Sequence, residues 1–126
     1  MVIGKGHFSQ VLRCQNRQTK EIVAVKIITK KEWTDQMKEF LREEISIIRS
    51  LNHPNVVKFK EVFESSSHVH IVMEHVDGGD LYLYCKSFFM DSSMSKKVMY
   101  QLIKLLQTLA THGIVHRDIK PNNILL

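Results

Sequence analysis

The residues best suited to chemistry lie in one short stretch, which reads HRDIKPNN over residues 116–123. From a single loop, the carboxylate of Asp118, the ammonium of Lys120 and the amide oxygen of Asn123 can converge on one small polar target. A phosphoryl group in transfer is such a target, because it requires an acceptor near the attacking hydroxyl, a cation on the phosphate oxygens and oxygen ligands for Mg²⁺. Pro121 disfavours a helix, so we expect a loop. The plain alternative is a solvated loop whose charges only pair with each other.

Taken whole, this stretch resembles the catalytic loop of protein kinases, His-Arg-Asp-x-Lys-x-x-Asn, at every signature position. The resemblance implies that Asp118 accepts or orients the substrate hydroxyl, that Lys120 touches the γ-phosphate and that Asn123 holds a Mg²⁺. It also makes Arg117 the regulatory basic residue of the loop. A lysine two residues after the aspartate is similar to the serine/threonine form of the family.

A glycine-rich turn near the start reads GKGHFSQV over residues 4–11 and leads into an apolar strand. Glycines let backbone amides approach a phosphate, although a simple hairpin turn would use them too. A Walker A loop is excluded because no Gly-Lys-Ser/Thr follows at the required spacing, and a Rossmann fingerprint because a strand comes next. The turn resembles the kinase glycine-rich loop, with serine in the place of the third glycine. The resemblance assigns ATP contacts here to Ile3, Gly4, Gly6, Ser9 and Val11.

One lysine interrupts an apolar stretch that reads EIVAVKII over residues 21–28 and predicts a buried strand. Lys26 requires an anion in such a strand, unless its ammonium reaches water at the sheet edge. Val-Ala-Val-Lys resembles the third-strand motif of protein kinases, whose lysine grips the α- and β-phosphates. The resemblance also places Ala24 against adenine.

A helix is predicted after this strand, between N-cap candidates at residues 33–35 and the stop signal Asn-His-Pro at 52–54. Its apolar residues at helical spacing are Met37, Phe40, Leu41, Ile45, Ile48 and Leu51. By its distance from the stop signal, Glu44 matches the glutamate of the kinase αC helix, which pairs with the strand lysine. Glu43 is expected to be solvated.

Two more strands are predicted, from Val56 to Val62 and from Ser67 to Met73, and the second runs into VMEHVDGGDL over residues 72–81. This stretch resembles the kinase hinge. The resemblance makes Met73 the gatekeeper, turns the backbones of Glu74 and Val76 toward adenine, and directs Asp80 to the ribose. Leu81 and Leu125 join Val11 and Ala24 as the apolar residues around adenine.

The motifs follow the family's order along the whole chain. They predict an α+β, protein-kinase-like bilobal fold in truncated form, with an antiparallel small-lobe sheet, the αC helix and the start of a helical large lobe. Residues 1–74 would be the small lobe, and residues 75–126 the hinge and an incomplete large lobe. An amphipathic helix from Ser95 to Thr111, ending near Gly113, would expose an apolar stripe around Leu105.

Composition excludes several other classes of protein. The net charge is +5, but the lysines are scattered and aromatic residues do not interleave with them, so we do not expect nucleic-acid binding. The two cysteines lie far apart in the sequence, which indicates neither a disulfide framework nor a zinc site. No stretch has the length of an apolar membrane span. We therefore expect an intracellular, cytoplasmic protein.

We accordingly expect a fragment of an ATP- and Mg²⁺-dependent serine/threonine protein kinase, acting on a protein substrate; the sequence indicates no regulatory partner. Residues 77–81 and 61–64 are similar to those of calcium/calmodulin-dependent kinases. The alternative is a naturally truncated, non-catalytic nucleotide-binding or interaction module derived from a kinase. The Asp-Phe-Gly segment, which holds the other Mg²⁺ in the family, is not among the 126 residues. We therefore expect slight or no phosphotransfer by this chain alone.

Overall fold

The computed structural model describes residues 1–6, 9–31 and 33–126. They form two compact units. The first consists of Met1–Asn52 and Val57–His75, and the second of His53–Val56 and Val76–Leu126. The assignment of residues 1–74 and 75–126 to two lobes stays a prediction.

The first unit is built on a five-stranded antiparallel sheet with the strand order β1-β2-β3-β5-β4. The strands are β1 (Val2–Lys5), β2 (Ser9–Gln15), β3 (Ile22–Thr29), β4 (Phe59–Glu64) and β5 (His68–Glu74). The turn from β2 to β3 is set by Asn16, whose Oδ1 accepts from the amides of Gln18 and Thr19 at 2.9 and 3.1 Å. Such a side chain satisfies the turn's own backbone donors and so favours a turn over continued strand.

One long helix, α1 (Asp35–Ser50), packs on this sheet. It begins where the sequence predicts, because Oγ1 of Thr34 accepts from the amide of Met37 at 3.2 Å and satisfies one of the free donors of the first turn. The core of the unit is a cluster of Ile28, Val69 and Ile71 from β3 and β5. Leu41 and Ile45 pack against this cluster from α1, together with Trp33, Phe59, Val62 and Met73.

The second unit contains the helices α2 (Leu81–Ser87) and α3 (Ser92–Thr111) and a single 3₁₀ turn (Pro121–Asn123). The sequence motifs did not predict α2. Both helices have an aspartate N-cap: Asp80 accepts from the amide of Leu83 at 2.8 Å, and Asp91 from that of Met94 at 2.7 Å. Among the described residues, no helix is long and apolar enough to cross a membrane.

α3 ends in a Schellman motif, after which the chain continues into the loop that carries the predicted catalytic residues. Gly113 has a left-handed φ of 68° and donates to the carbonyl of Ala110 at 3.0 Å, while Ile114 donates to that of Leu109 at 2.9 Å. A glycine adopts this conformation without a Cβ penalty, so the helix stops within two residues.

The outer face of α3 generates a prediction on association. Met99 and Ile103, one turn apart, are 52% and 50% exposed, whereas Leu109 on the inner face is 4% exposed. Because water contacts this apolar stripe, we expect the chain to self-associate and Ile103→Gln to reduce association, measured by analytical ultracentrifugation. The substitution should change the free energy of unfolding by less than about 0.5 kcal/mol.

Leu109→Ala is the matched control for this prediction. It removes buried methyl groups and should cost about 3 kcal/mol of unfolding free energy in a urea titration, without reducing association. A wild-type chain that stays monomeric at high concentration and melts in one sharp transition would contradict the prediction.

Candidate active-site residues

The register of the sheet brings several predicted nucleotide-binding residues to one face. Lys26 lies opposite Val11 on β2 and opposite Ile71 on β5, and Ala24 lies opposite Met73. Directly opposed residues point to the same side, as do residues two apart on a strand. Lys26 therefore shares its face with Val11, Ala24, Met73 and the apolar core cluster. Lys26 as a residue is half-buried, and an ammonium in such surroundings favours an anionic partner.

The expected partner of Lys26 is not in contact with it. Glu44 is exposed on α1, and no ion pair joins Lys26 and Glu44 in the described part of the chain. α1 contacts the core cluster through Leu41 and Ile45, and none of its described residues is fully buried. The helix is held on the sheet by this apolar contact, which does not bring its carboxylate to β3.

The glycine-rich segment forms the β1–β2 connection. Gly4 on β1 lies opposite Val11, and Gly6 donates to the carbonyl of Ser9 at 2.7 Å. A Cβ on Gly6 would stand 3.0 Å from Oγ of Ser9, so the turn leaves little room for a side chain there. Ile3 is exposed on β1. The predicted loop also includes His7 and Phe8, which lie outside the described residues.

In the second unit, the three predicted catalytic-loop residues converge. Oδ2 of Asp118 lies 2.9 Å from Nζ of Lys120 and accepts from Nδ2 of Asn123 at 2.8 Å. Nδ2 of Asn123 also donates to the backbone carbonyl of Asp118 at 2.9 Å. The convergence expected from the spacing is thus present, and all three side chains are accessible to solvent.

The backbone of this loop is arranged by three local features. Arg117 has a φ of 67°, a left-handed conformation that costs a residue with a side chain about 1–2 kcal/mol. The amide of Asp118 then donates to Nδ1 of His116 at 3.2 Å. Lys120 is extended, as favoured before a proline, and Pro121 begins the 3₁₀ turn that carries Asn123. Backbone strain of this kind is typical of functional loops.

The environment of Asp118 keeps its carboxyl group ionised. The hydrogen bond from Lys120 is the largest cause that lowers its pKa from the ordinary value, followed by the hydrogen bond from Asn123, with smaller contributions from the charges of Lys120 and His116. Because the pKa is lowered in the folded state, this pairing is present at neutral pH and is lost as the pH falls through the lowered pKa.

The segment that resembles a hinge pairs with the last residues of the chain. Gly78 donates to the carbonyl of Leu126 at 3.0 Å, Leu126 donates to that of Gly79 at 3.0 Å, and Leu81 donates to that of Ile124 at 2.8 Å. Asp80 and Leu125 form the bridge at the centre of this pairing.

Two features of this segment were missed by sequence reasoning. The carboxylate of Asp80, assigned to a ribose, caps α2 in this structure, and the Asp-Leu sequence at the start of a helical run was the available signal. A Cβ on Gly78 would overlap the carbonyl oxygen of Leu126, so this glycine is required by a close backbone approach. Val76, assigned to adenine through its backbone, lies two residues before Gly78 and is half-buried.

The family follows from a sequence comparison. The model of the protein kinase domain matches residues 1–126, and the chain belongs to this family. The chain is 37% identical over 126 residues to the serine/threonine-protein kinase DCLK3 of Mus musculus, covering 99% of this chain and 16% of that protein. It is 35% identical over 125 residues to the CBL-interacting serine/threonine-protein kinase 15 of Arabidopsis thaliana, covering 98% of this chain and 30% of that protein.

Comparison with solved structures confirms the predicted fold. The crystal structure of Rad53 in complex with AMP-PNP matches with a TM-score of 0.86 and 31% sequence identity, over all of this chain and 33% of that one. The five-stranded antiparallel sheet with its helices is that of the protein kinase fold. The chain therefore spans about a third or less of the length of each of these two relatives and of the Rad53 chain in the solved structure.

The pairing of Asp118 generates a prediction on its titration. Lys120→Met should raise the pKa of Asp118 toward its ordinary value because it removes the strongest hydrogen bond to the carboxylate. Asn123→Ala should raise it less. The measurement is a carbon-detected NMR titration of the Asp118 carboxyl group. Lys104→Met, a loss of the same charge on α3, is the control, and an equal rise in that variant would contradict the role of Lys120.

The pairing at Gly78 generates a second prediction. Gly78→Ala should break the bonds between residues 78–81 and 124–126, because the added methyl group and the Leu126 carbonyl cannot occupy the same space. Hydrogen exchange at the amides of Leu81 and Leu126 should accelerate in this variant. Gly79→Ala is the control. Its added Cβ has open space around it, so the only expected cost is that of a left-handed φ of 76°, about 1–2 kcal/mol. Unchanged amide protection in Gly78→Ala would refute the argument.

Proposed function

We propose that this chain carries nucleotide-binding and catalytic-loop residues of a serine/threonine protein kinase, which transfers the γ-phosphoryl group of ATP to a protein Ser or Thr hydroxyl. The observation that carries the proposal is the convergence of Lys120 and Asn123 on the ionised carboxylate of Asp118 in a chain of the protein kinase family. The similarity to DCLK3 and to the CBL-interacting kinase, both named as serine/threonine kinases, supports the choice of substrate hydroxyl.

In this proposal Asp118 orients the attacking hydroxyl. A carboxylate with a lowered pKa is ionised at neutral pH and accepts a hydrogen bond from a Ser or Thr hydroxyl, but it is a weak base. Positioning is the principal requirement in phosphoryl transfer, because the transition state is loose and most of the catalysis comes from alignment and charge stabilisation. Lys120 lies 2.9 Å from the same carboxylate and would exchange that partner for the γ-phosphate.

Lys26 is proposed to bind the α- and β-phosphates. Its ammonium stands on the face of the sheet that also carries Val11, Ala24 and Met73, the residues assigned to the nucleotide. Glu44 would pair with Lys26 only after a rearrangement that brings the two side chains together, since they form no ion pair in this structure. Similarity to Rad53, whose structure was solved in complex with AMP-PNP, supports nucleotide binding.

The side chains fit one part of a Mg²⁺ site. Asn123 donates through Nδ2 to Asp118, which leaves its Oδ1 as an oxygen ligand of the kind Mg²⁺ prefers. The described residues contain no group of three or more His, Cys, Asp or Glu side chains that could hold a metal ion by themselves. The phosphates of ATP would therefore supply further ligands. When bound, Mg²⁺ would neutralise charge on the transferring phosphoryl group.

Nucleotide binding tests the proposal. We expect wild-type chain to bind ATP in the presence of Mg²⁺, measured by isothermal titration calorimetry, and Lys26→Met to weaken binding about tenfold or more because one charged phosphate contact is lost. Lys60→Met is the matched control, since Lys60 lies on β4 of the same sheet with its ammonium 2.7 Å from Glu21. A wild-type chain that binds no ATP, or equal losses in both variants, would overturn the proposal.

The family and its serine/threonine kinase relatives do not favour the alternative of a non-catalytic module, and the reading frame tests that alternative directly. Sequencing the transcript past the Leu126 codon distinguishes them. An open frame that soon encodes Asp-Phe-Gly supports catalysis, because that segment provides the other Mg²⁺ ligand in the family. A stop codon there would instead favour the binding or interaction module.

A further inference from the structure

The end of β5 has an unusual hydrogen-bonding pattern. The amide of Glu74, the last residue of β5, donates to the carbonyl of Lys58 at 2.9 Å. In an antiparallel sheet a hydrogen-bonded pair exchanges two bonds, so the amide of Lys58 would ordinarily donate back to the carbonyl of Glu74. In this structure it donates to Oε1 of the Glu74 side chain at 2.7 Å. The Glu74 carboxylate thus accepts the hydrogen bond from the Lys58 amide that the Glu74 main-chain carbonyl would accept in a regular ladder.

The surroundings favour this exchange. Lys58 directly precedes β4, and the pairing of β4 with β5 is irregular between Phe59 and Glu61, so the regular ladder is interrupted at this end. A carboxylate is a stronger acceptor than an amide carbonyl, particularly where it is half-buried. Strand alternation places the Glu74 side chain on the opposite face from Met73 and Lys26, away from the residues assigned to the nucleotide.

We propose that Glu74 is a positioning residue for adenine: its carboxylate holds the amide of Lys58 so that the Glu74 carbonyl stays available to accept a hydrogen bond from the exocyclic amine of adenine. The inference rests on the proposed nucleotide binding. Without the carboxylate, the amide of Lys58 turns to the Glu74 carbonyl and completes the ladder. The exocyclic amine of adenine then competes with the Lys58 amide for the Glu74 carbonyl.

The first measurement identifies the acceptor without any nucleotide. Through-hydrogen-bond NMR couplings link an amide nitrogen to the carbon of the group that accepts from it. In wild type we expect the amide of Lys58 to couple to Cδ of Glu74, and in Glu74→Ala to the main-chain carbonyl carbon of residue 74. Glu74→Gln retains an Oε1 acceptor and should keep the side-chain coupling. A wild-type coupling to the main-chain carbonyl would overturn the proposal.

The second measurement compares ATP with purine riboside triphosphate, which is ATP without the 6-amino group. Wild type should bind ATP about tenfold more tightly, the value of one well-formed hydrogen bond. Glu74→Ala should lose this preference while its affinity for the purine analogue stays unchanged, and Glu74→Gln should restore it. A purely structural loss would weaken both ligands equally. Glu61→Ala, which removes an exposed carboxylate on β4, is the control and should keep the preference.

The outcomes separate the inference from the proposed function. If wild type binds neither nucleotide, the proposed function fails and the positioning role fails with it, while the NMR couplings still show which group accepts from Lys58. If wild type binds ATP but Glu74→Ala keeps the full preference for ATP over the purine analogue, the proposed function stands and the role of Glu74 is refuted.

Discussion

The pairing of β3 with its two neighbours is the constraint on which the first unit depends. β3 lies at the centre of the sheet, and its register with β2 and β5 decides which of its side chains meet the core. A slip of one residue would turn Lys26 and Ala24 to the opposite face together with Ile28. The same apolar contacts that bury Ile28 against Val69 and Ile71 therefore also fix the side of the sheet on which the lysine ammonium stands. The register of β3 thus determines both the packing of the core and the position of Lys26, the candidate phosphate-binding residue.

In the second unit, the candidate catalytic side chains are held in a defined arrangement although they are little buried. Asp118, Lys120 and Asn123 lie at the surface, where an isolated ion pair contributes little to stability. Their geometry is instead defined by the backbone. The Schellman motif at Gly113 ends α3, Arg117 adopts a left-handed conformation, and Pro121 starts the 3₁₀ turn that carries Asn123. A residue in such a conformation persists only where the surrounding structure holds it, so the conformation of Arg117 depends on the rest of the loop.

Sequence reasoning succeeded where one local signal decides the structure. The convergence around Asp118, the cap at Thr34 and the end of α3 at Gly113 are all specified within a few residues, and the structure shows each of them. Periodicity was less informative about which apolar residues are buried. Phe40 shares the helical pattern of α1 but is 61% exposed, because only Leu41 and Ile45 reach the core cluster. The short helix α2 has too few residues to show a period, and sequence reasoning assigned Asp80 to a ribose without identifying it as the cap of this helix.

Contacts between residues far apart in the sequence could not be predicted, for a different reason. Whether Lys26 and Glu44 meet depends on how α1 and its side chains pack against the sheet, which no motif encodes. The bond from Lys58 to the Glu74 side chain likewise arises from an irregular register between two strands. The sequence does not distinguish a glutamate whose side chain contacts solvent from one whose side chain accepts a strand hydrogen bond in place of its own main-chain carbonyl.

Gly78 has a consequence at the level of the gene. Every amino acid other than glycine has a Cβ, and at this position that atom would stand closer to the carbonyl oxygen of Leu126 than van der Waals contact allows. Every missense change in the Gly78 codon therefore meets the same obstacle, whatever the chemistry of the new side chain. Even the most conservative replacement, alanine, is therefore expected to disturb the pairing, and proline would in addition remove the donor of the bond from Gly78 to Leu126. At Gly79, one codon later, an added Cβ has open space around it. The cost of a substitution there comes from the left-handed backbone conformation.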